Sequence, residues 1–363
     1  MHKRIAFFVN QISFGGGERI INMIIDQIRL RGYEVYVYTY NPQWAETDNV
    51  FNKLRILSHR PVLGSKFKSF QELKKILKED SPDCLISITL AVSEIAVWAA
   101  HAVGIPFITS ERCDPWQIPE PNKRIMHRWL RLLTFAMSDG IVFQTNKVRD
   151  FFPNFIRKHS RVIHNPVIDS SLPAPCIATE VRKEIVSVGR LSPEKNFGML
   201  IDAFSKLKNA DGYTLKIYGD GPLKNSLQQQ IDTLNLSGRV LLMGKVNRVV
   251  DHIYNSDIFV LPSDHEGMPN ALIEGLAMGL ACISTDMRSG GASELITDSE
   301  NGLLIPVRDT EALVTAIDRL IKDEGLKNRL KKNAIKIRET HSKDIIIPLW
   351  IDYIEQICIS PKI

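Results

Sequence analysis

The segment His265–Gly275, HEGMPNALIEG, carries two carboxylates, Glu266 and Glu274, eight positions apart on either side of Pro269, a residue suited to the first turn of a helix. A helix opening at about Asn270 leaves the backbone N–H groups of Asn270, Ala271 and Leu272 without intrahelical partners, and a phosphate can take them. Glu266 then lies in the preceding loop and Glu274 about 7 Å along the helix, at roughly 1.5 Å per residue. Both can accept from hydroxyls flanking an end-bound phosphate. A sugar nucleotide has that layout. The helix macrodipole also favours acids near a helix start, so this window needs support from the rest of the chain.

Other segments supply it. Gly189-Arg190-Leu191-Ser192-Pro193-Glu194-Lys195-Asn196 follows a strand-like run and sets two cations five residues apart, either as a diphosphate clamp or as surface charges, one of them paired with Glu194. Tyr218-Gly219-Asp220-Gly221-Pro222 closes the next strand, as a site of close backbone approach or as a plain tight turn. Near the start, Gly15-Gly16-Gly17 admits a ligand against bare backbone. A dinucleotide fingerprint would place a further glycine where Ile20 stands and an acid within Val37–Tyr40, and both are missing.

The segment 122–133 holds Lys123, Arg124, Arg128 and Arg131 interleaved with Ile125, Met126, Trp129, Leu132 and Leu133, with no acid between Pro121 and Ser138. As a helix it is basic and amphipathic. It suits an anionic membrane interface or the diphosphate of a lipid-linked acceptor, or else it packs on a core with its basic face solvated. A second basic stretch, Lys327 to Arg338, fits a solvated helix.

The elements that must position these groups alternate strand and helix twice. Apolar runs at Ile5–Val9, Val35–Tyr40, Cys84–Ile88, Phe107–Thr109 and Gly140–Gln144 imply a parallel sheet, and the pattern restarts at Glu184. The spacing predicts an N-terminal domain over 1–165, a linker over 166–183, a second domain over 184–340 and a final helix in 341–363 that packs back on the first domain. The fold class is α/β, two doubly wound Rossmann-like domains facing across a cleft, with ligands at the carboxyl ends of the strands. A length of 363 residues agrees with two cores.

Composition excludes several classes. The balance of 46 Lys+Arg against 41 Asp+Glu leaves +5, too mild for a dedicated nucleic-acid binder. Five scattered cysteines without a C-x-x-C pair indicate neither a disulfide framework nor a zinc site. The start shows no secretory signal, so the expected location is inside the cell. Cys84 to Ile105 nears the length of a membrane span, but Glu94 would sit mid-bilayer at a cost of a few kcal/mol, and a buried strand plus helix avoids that. No D-x-D follows a strand, and Asp264-His265-Glu266 is a poor ligand set, so neither metal nor cofactor is expected.

Gly15-Gly16 with Glu18, Gly189-Arg190-Leu191 with Lys195, Gly219-Asp220-Gly221, and Glu266 with Glu274 stand in the order and approximate spacing of family 4 glycosyltransferases, which the chain resembles over nearly its whole length. The resemblance implies the GT-B fold and transfer of a sugar from a nucleotide donor, retaining anomeric configuration without an obligatory metal. It places Arg190 and Lys195 on the donor diphosphate and Glu274 on the ribose. Glu266 falls to the transferred sugar's hydroxyls, the N–H groups of Asn270, Ala271 and Leu272 to the distal phosphate, and the backbone near Lys245-Val246 to the base. Gly16 and Gly219 complete the donor site, and Glu266, Arg190 and Lys195 are the catalytic candidates.

The chain departs from the family in one place. Relatives often carry a histidine just after a Ser-Glu pair, where this chain has Ser110-Glu111-Arg112, and Arg112 is a poor proton carrier. Glu111 and Arg112 therefore either meet the acceptor or form a salt bridge at a helix start. Ser110–Pro115 followed by the basic helix resembles the branch that extends polyprenyl-diphosphate-linked saccharides. That places Gly15, Glu111, Arg112, Lys123, Arg124, Arg128 and Arg131 on the acceptor. The expected activity is transfer of a hexose or N-acetylhexosamine from a UDP-sugar to a lipid-linked saccharide, by a peripheral protein at the inner face of the cell membrane. Alternatives are a sugar-nucleotide epimerase of the same fold and a non-catalytic sugar-nucleotide binder.

Overall fold

Strands rich in apolar residues alternate with helices along the chain and assemble into two separate all-parallel sheets. The computed structural model describes residues 3–9, 16–41, 52–59, 65–88, 90–117, 124–167, 172 and 181–359. Gly15, Lys123 and most of 166–183 lie outside these residues, and of Arg124 only the backbone is described. The chain divides into two compact units, Met1–Pro166 with Lys343–Ile363, and Val167–Ser342.

The first unit holds β1 (Arg4–Val9), β2 (Glu34–Thr39), β3 (Lys53–Ile56), β4 (Cys84–Ser87), β5 (Phe107–Glu111), β6 (Gly140–Phe143) and β7 (Ser160–Val162), in the order β3-β2-β1-β4-β5-β6-β7. Ala6, Phe8, Leu85 and Phe107 pack with Leu73 and Leu77 of the helix Lys66–Asp80 and with Val92 and Ala96 of the helix Leu90–Val103. The Cys84–Ile105 stretch is thus a buried strand and a helix. No helix among the described residues is long and apolar enough to cross a membrane. The pattern in the sequence missed β3 and β7 because both are edge strands. Their residues are only partly buried and lack the continuous apolar run of a central strand.

The final helix, Lys343–Ile359, belongs to this first unit. The Tyr353 hydroxyl accepts from the Ile141 N–H at 3.0 Å and donates to the His159 carbonyl at 2.7 Å. Glu355 accepts from Tyr33 at 2.9 Å and from Arg31 at 3.2 Å, while Trp350 and Ile354 are buried.

The second unit holds β8 (Arg182–Val188), β9 (Thr214–Tyr218), β10 (Val240–Gly244), β11 (Ser256–Leu261), β12 (Ala281–Thr285) and β13 (Leu303–Ile305), in the order β10-β9-β8-β11-β12-β13. Alternate residues of β11 enter different cores, Ile258 and Val260 on one face and Phe259 and Leu261 on the other. Helices covering both faces explain why this strand reads as a continuous apolar run.

The stretch expected as a solvated basic helix is partly buried. In the helix Glu324–Ala334 the Lys327 and Lys331 ammonium groups each lie 2.7 Å from a carboxylate oxygen of Asp257, which also accepts from the Tyr213 hydroxyl. The cause is Asp257 itself, a carboxylate near the start of the central strand β11 whose side chain is 4% exposed and needs compensating cations.

Candidate active site

In the second unit the strand order reverses between β8 and β11, so the loops leaving their carboxyl ends rise side by side. One loop carries Gly189–Asn196 and the other Pro262–Pro269. Backbone and side chains tie them together: Asp264 N–H donates to the Glu194 carbonyl at 2.9 Å, and Asn196 Nδ2 donates to Asp264 Oδ1 at 2.8 Å. Arg308 holds the other Asp264 oxygen at 2.7 Å.

This juxtaposition joins two expected site residues. Lys195 Nζ donates to Glu266 Oε1 at 2.6 Å, and the same oxygen accepts from Ser263 Oγ at 2.7 Å. The two side chains are only 17% and 16% exposed. Glu194 does not take the partner that the surface-charge alternative gave it: its carboxylate accepts from Ser192, and Lys195 is salt-bridged to Glu266. Burial works against ionisation of Glu194, but the Ser192 hydroxyl, its own N–H and the nearby Lys195 and His265 hold its carboxyl below the ordinary range. Arg190 is exposed and forms no ion pair among the described residues. An ammonium with N–H donors to spare and an exposed guanidinium thus flank one loop.

The helix Asn270–Ala277 begins just after Pro269, with Asn270 and Ala271 partly exposed, whereas Leu272, expected to offer its N–H to a phosphate, is buried and donates that N–H to the Pro269 carbonyl at 3.1 Å. Glu274 is 8% exposed. Gly275 lets this helix approach β11: a Cβ there would stand 3.0 Å from the Phe259 ring. The half-buried Val246 lies just beyond β10, whose terminal Gly244 carbonyl accepts from the Gly219 N–H at 2.9 Å.

At Gly219 the close approach is of backbone to backbone. Its φ is +142°, and a Cβ would fall 1.8 Å from the Gly189 carbonyl oxygen. Leu191 N–H donates to the Asp220 carbonyl at 3.0 Å, so the β9 turn buttresses the Arg190 loop from below. Gly219→Ala therefore displaces that loop. We expect donor affinity to fall at least tenfold and stability by about 1–3 kcal/mol, the scale of one strained backbone position, as read by calorimetric titration and urea unfolding.

Sequence reasoning missed two features here. Gly291 sits so close to the 262–269 loop that a Cβ would lie 1.9 Å from the Gly267 carbonyl oxygen, a contact between segments more than twenty residues apart that carries no local signal. His265 Nδ1 is buried and has no hydrogen-bond partner among the described residues.

In the first unit, β5 delivers Glu111 into a buried position. Its carboxylate accepts from the Cys113 N–H at 3.1 Å and lies 3.4 Å from Arg131 Nε. Burial pushes the Glu111 carboxyl up, while Arg131 and backbone N–H groups work against that rise. Arg112 instead donates to Asn165 Oδ1 at 2.7 Å, an oxygen shared with Gln144. Arg128, on the helix Arg124–Ala136, is exposed with its guanidinium 5.9 Å from the Phe151 ring centre.

The same helix turns much of its apolar surface outward. Ile125 is 74% exposed and Trp129 68%, and Met126 and Leu133 are also exposed, while Thr134 and Phe135 are buried and Arg131 reaches inward to Glu111. A core-packing helix with a solvated basic face would do the reverse. Among the described residues no group of three or more His, Cys, Asp or Glu is placed to hold a metal ion.

Comparison with known proteins bears on the family and the fold. The model for "Glycosyltransferase Family 4" matches residues 14–170, and the model for "Glycosyl transferases group 1" matches residues 177–337. A Campylobacter jejuni α-1,4-N-acetyl-D-galactosaminyltransferase, named for an acceptor linked to diphospho-undecaprenol, is 26% identical over 91% of this chain and 92% of its own. An Escherichia coli protein named as a UDP-Gal:α-D-GlcNAc-diphosphoundecaprenol α-1,3-galactosyltransferase is 27% identical over 73% of each chain. The crystal structure of Anabaena Alr3699/HepE in complex with UDP superimposes with a TM-score of 0.81 at 18% identity, covering 97% of this chain and all of that one.

Proposed function

From the premise that this chain belongs to the family 4 glycosyltransferases of GT-B fold, we propose that it transfers a hexose or N-acetylhexosamine from a UDP-sugar to a polyprenyl-diphosphate-linked saccharide in surface glycan synthesis. The observation that carries this reading is the Lys195–Glu266 pair beside Arg190, at the carboxyl ends of β8 and β11 and next to the Asn270–Ala277 helix start. A diphosphate meets two cations and a helix end there, and a sugar meets a carboxylate already oriented by Lys195 and Ser263.

The reaction breaks the bond between the anomeric carbon and the diphosphate oxygen, and negative charge grows on the departing UDP. Lys195, Arg190 and the N–H groups at the helix start stabilise that charge without a metal. Glu266 holds the sugar hydroxyls, and Glu274 holds the ribose. The acceptor hydroxyl attacks from the face the diphosphate leaves and passes its proton to a donor phosphate oxygen, so configuration is retained. In the first unit Arg112 and Arg128 serve the acceptor diphosphate, and the outward apolar arc of the Arg124–Ala136 helix rests on the anionic inner face of the membrane.

The test is a panel of UDP-, GDP- and ADP-sugars with lipid-linked acceptors, run beside Glu274→Ala. We expect transfer from a UDP-sugar, slow UDP release without acceptor, and UDP affinity at least tenfold weaker in the variant, about the value of one charge-assisted hydrogen bond. Absence of both transfer and donor hydrolysis across the panel would overturn the reading. Donor interconversion without acceptor would mark an epimerase instead.

A further inference from the structure

Three loops of the second unit converge on Asp264, a residue with no part in the reaction proposed above. Its N–H donates to the Glu194 carbonyl at 2.9 Å and its Oδ1 accepts from Asn196 Nδ2 at 2.8 Å, so the two residues that flank Lys195 are both tied to it. Two positions further along its own loop stands Glu266, the ion-pair partner of Lys195. One residue thus holds the backbone on either side of the ammonium and adjoins the carboxylate that receives it.

The third loop, just beyond β13, brings Arg308, whose Nε and Nη2 both lie 2.7 Å from Asp264 Oδ2. Asn196 and Arg308 both hold left-handed backbone, with φ of +48° and +60°, an uncommon state for a residue with a Cβ. Among the described residues six non-glycine positions have positive φ, and two of them meet on this one carboxylate. Such backbone persists where surrounding contacts enforce it, and it gathers at functional sites. The Arg308 fork also offsets the Asp264 charge, which by itself would repel a diphosphate arriving at Lys195.

We propose that Asp264 is a positioning residue: it fixes the Lys195 backbone against the Pro262–Pro269 loop, so that the ammonium and Glu266 are already aligned when a donor binds. The proposal rests on the donor-site reading above. Stability alone does not account for the arrangement. The Arg308 side chain is 73% exposed, and an ion pair so open to water contributes little to folding. What the contacts do supply is direction, because the Asp264 side chain is only 12% exposed and each of its oxygens is committed to a different loop.

The experiment reads Lys195 directly. Trace acetylation of the full chain, followed by mass spectrometry, compares Lys195 with Lys216, which lies in the same unit, is 19% exposed against 17% and pairs with Glu184 instead. Asp264→Ala removes both side-chain contacts, and Asp264→Asn keeps an oxygen for Asn196. Asn196→Gly breaks the same contact from the other side, at a backbone angle that glycine adopts freely, and carries the test should Asp264→Ala fold poorly. We expect Lys195 to label several-fold faster, relative to Lys216, in Asp264→Ala and Asn196→Gly, and at close to the parent rate in Asp264→Asn. In transfer assays Asp264→Ala lowers kcat about tenfold or more, since a displacement of about 1 Å can cost roughly a hundredfold, and it lowers kcat no further beside Lys195→Met. Unchanged Lys195 labelling in Asp264→Ala and Asn196→Gly, or a kcat loss that persists in full beside Lys195→Met, would overturn the proposal. Labelling needs no substrate, so absence of transfer from every donor would strike the transferase reading alone and leave the positioning of Lys195 to be decided by labelling.

Discussion

Lys195→Met lowers the rate of sugar transfer by about two to three orders of magnitude, the usual consequence of removing one preorganised donor from a developing anion. Among the described residues the ammonium is held by a single 2.6 Å contact to Glu266, itself anchored by Ser263, so its position is set before the diphosphate arrives. On the role proposed for Lys195 the loss falls mainly on kcat, because the charge assigned to it grows as the bond to the sugar breaks. Glu266→Gln weakens the pair from the other side. The double variant loses less than the product of the two single losses, since each residue orients the other. Steady-state kinetics on the three variants checks this, and purely multiplicative effects would show that the ion pair plays no part in turnover.

Asp257→Ala destabilises the second unit by about 3–5 kcal/mol, a large share of an ordinary domain's total of about 5–15 kcal/mol. The variant leaves Lys327, whose side chain is 4% exposed, without its buried counter-charge, and strips Lys331 and the Tyr213 hydroxyl of a partner. Burial and the Asp257 carboxylate together push the Tyr213 hydroxyl up to about 12. The pH dependence has a definite sign. Burial raises the Asp257 carboxyl, but Lys331, Lys327 and Tyr213 more than reverse this and hold it below its ordinary value. The folded state therefore binds fewer protons than the unfolded state in acid. The cluster's stabilisation is complete above the ordinary carboxylate pKa and drains away as pH falls through the lowered one. Urea unfolding of the parent chain should show a steeper acid loss than Asp257→Ala, which lacks this share of it. Equal slopes in acid would show that Asp257 contributes no linkage.

The residues proposed for the donor were legible as candidates because they come from short, continuous motifs. Pro269 and the residues after it specify where a helix starts. Arg190 and Lys195 lie in one loop, and Gly219 lies at a strand end, so local rules reach each of them. The acceptor side was less legible. Glu111, Arg112 and Arg131 were all candidates, but Glu111 and Arg131 pair across 20 residues of chain and Arg112 reaches Asn165 across 53. Nothing local tells Arg131 to turn inward.

By itself the sequence determined the α/β class, the two runs of strand and helix and the family, because strand and helix periodicity and motif order are properties of near neighbours. Only the tertiary structure decided that Lys195 and Glu266 form one pair, that Lys327 is buried against Asp257, and that the Arg124–Ala136 helix turns Ile125, Met126, Trp129 and Leu133 to solvent. Those outcomes depend on which strands lie side by side and on which buried charge must be neutralised. Both are relations between residues far apart in the chain, and hydrophobic patterning, which records how much of a residue is buried and not against what, does not encode them.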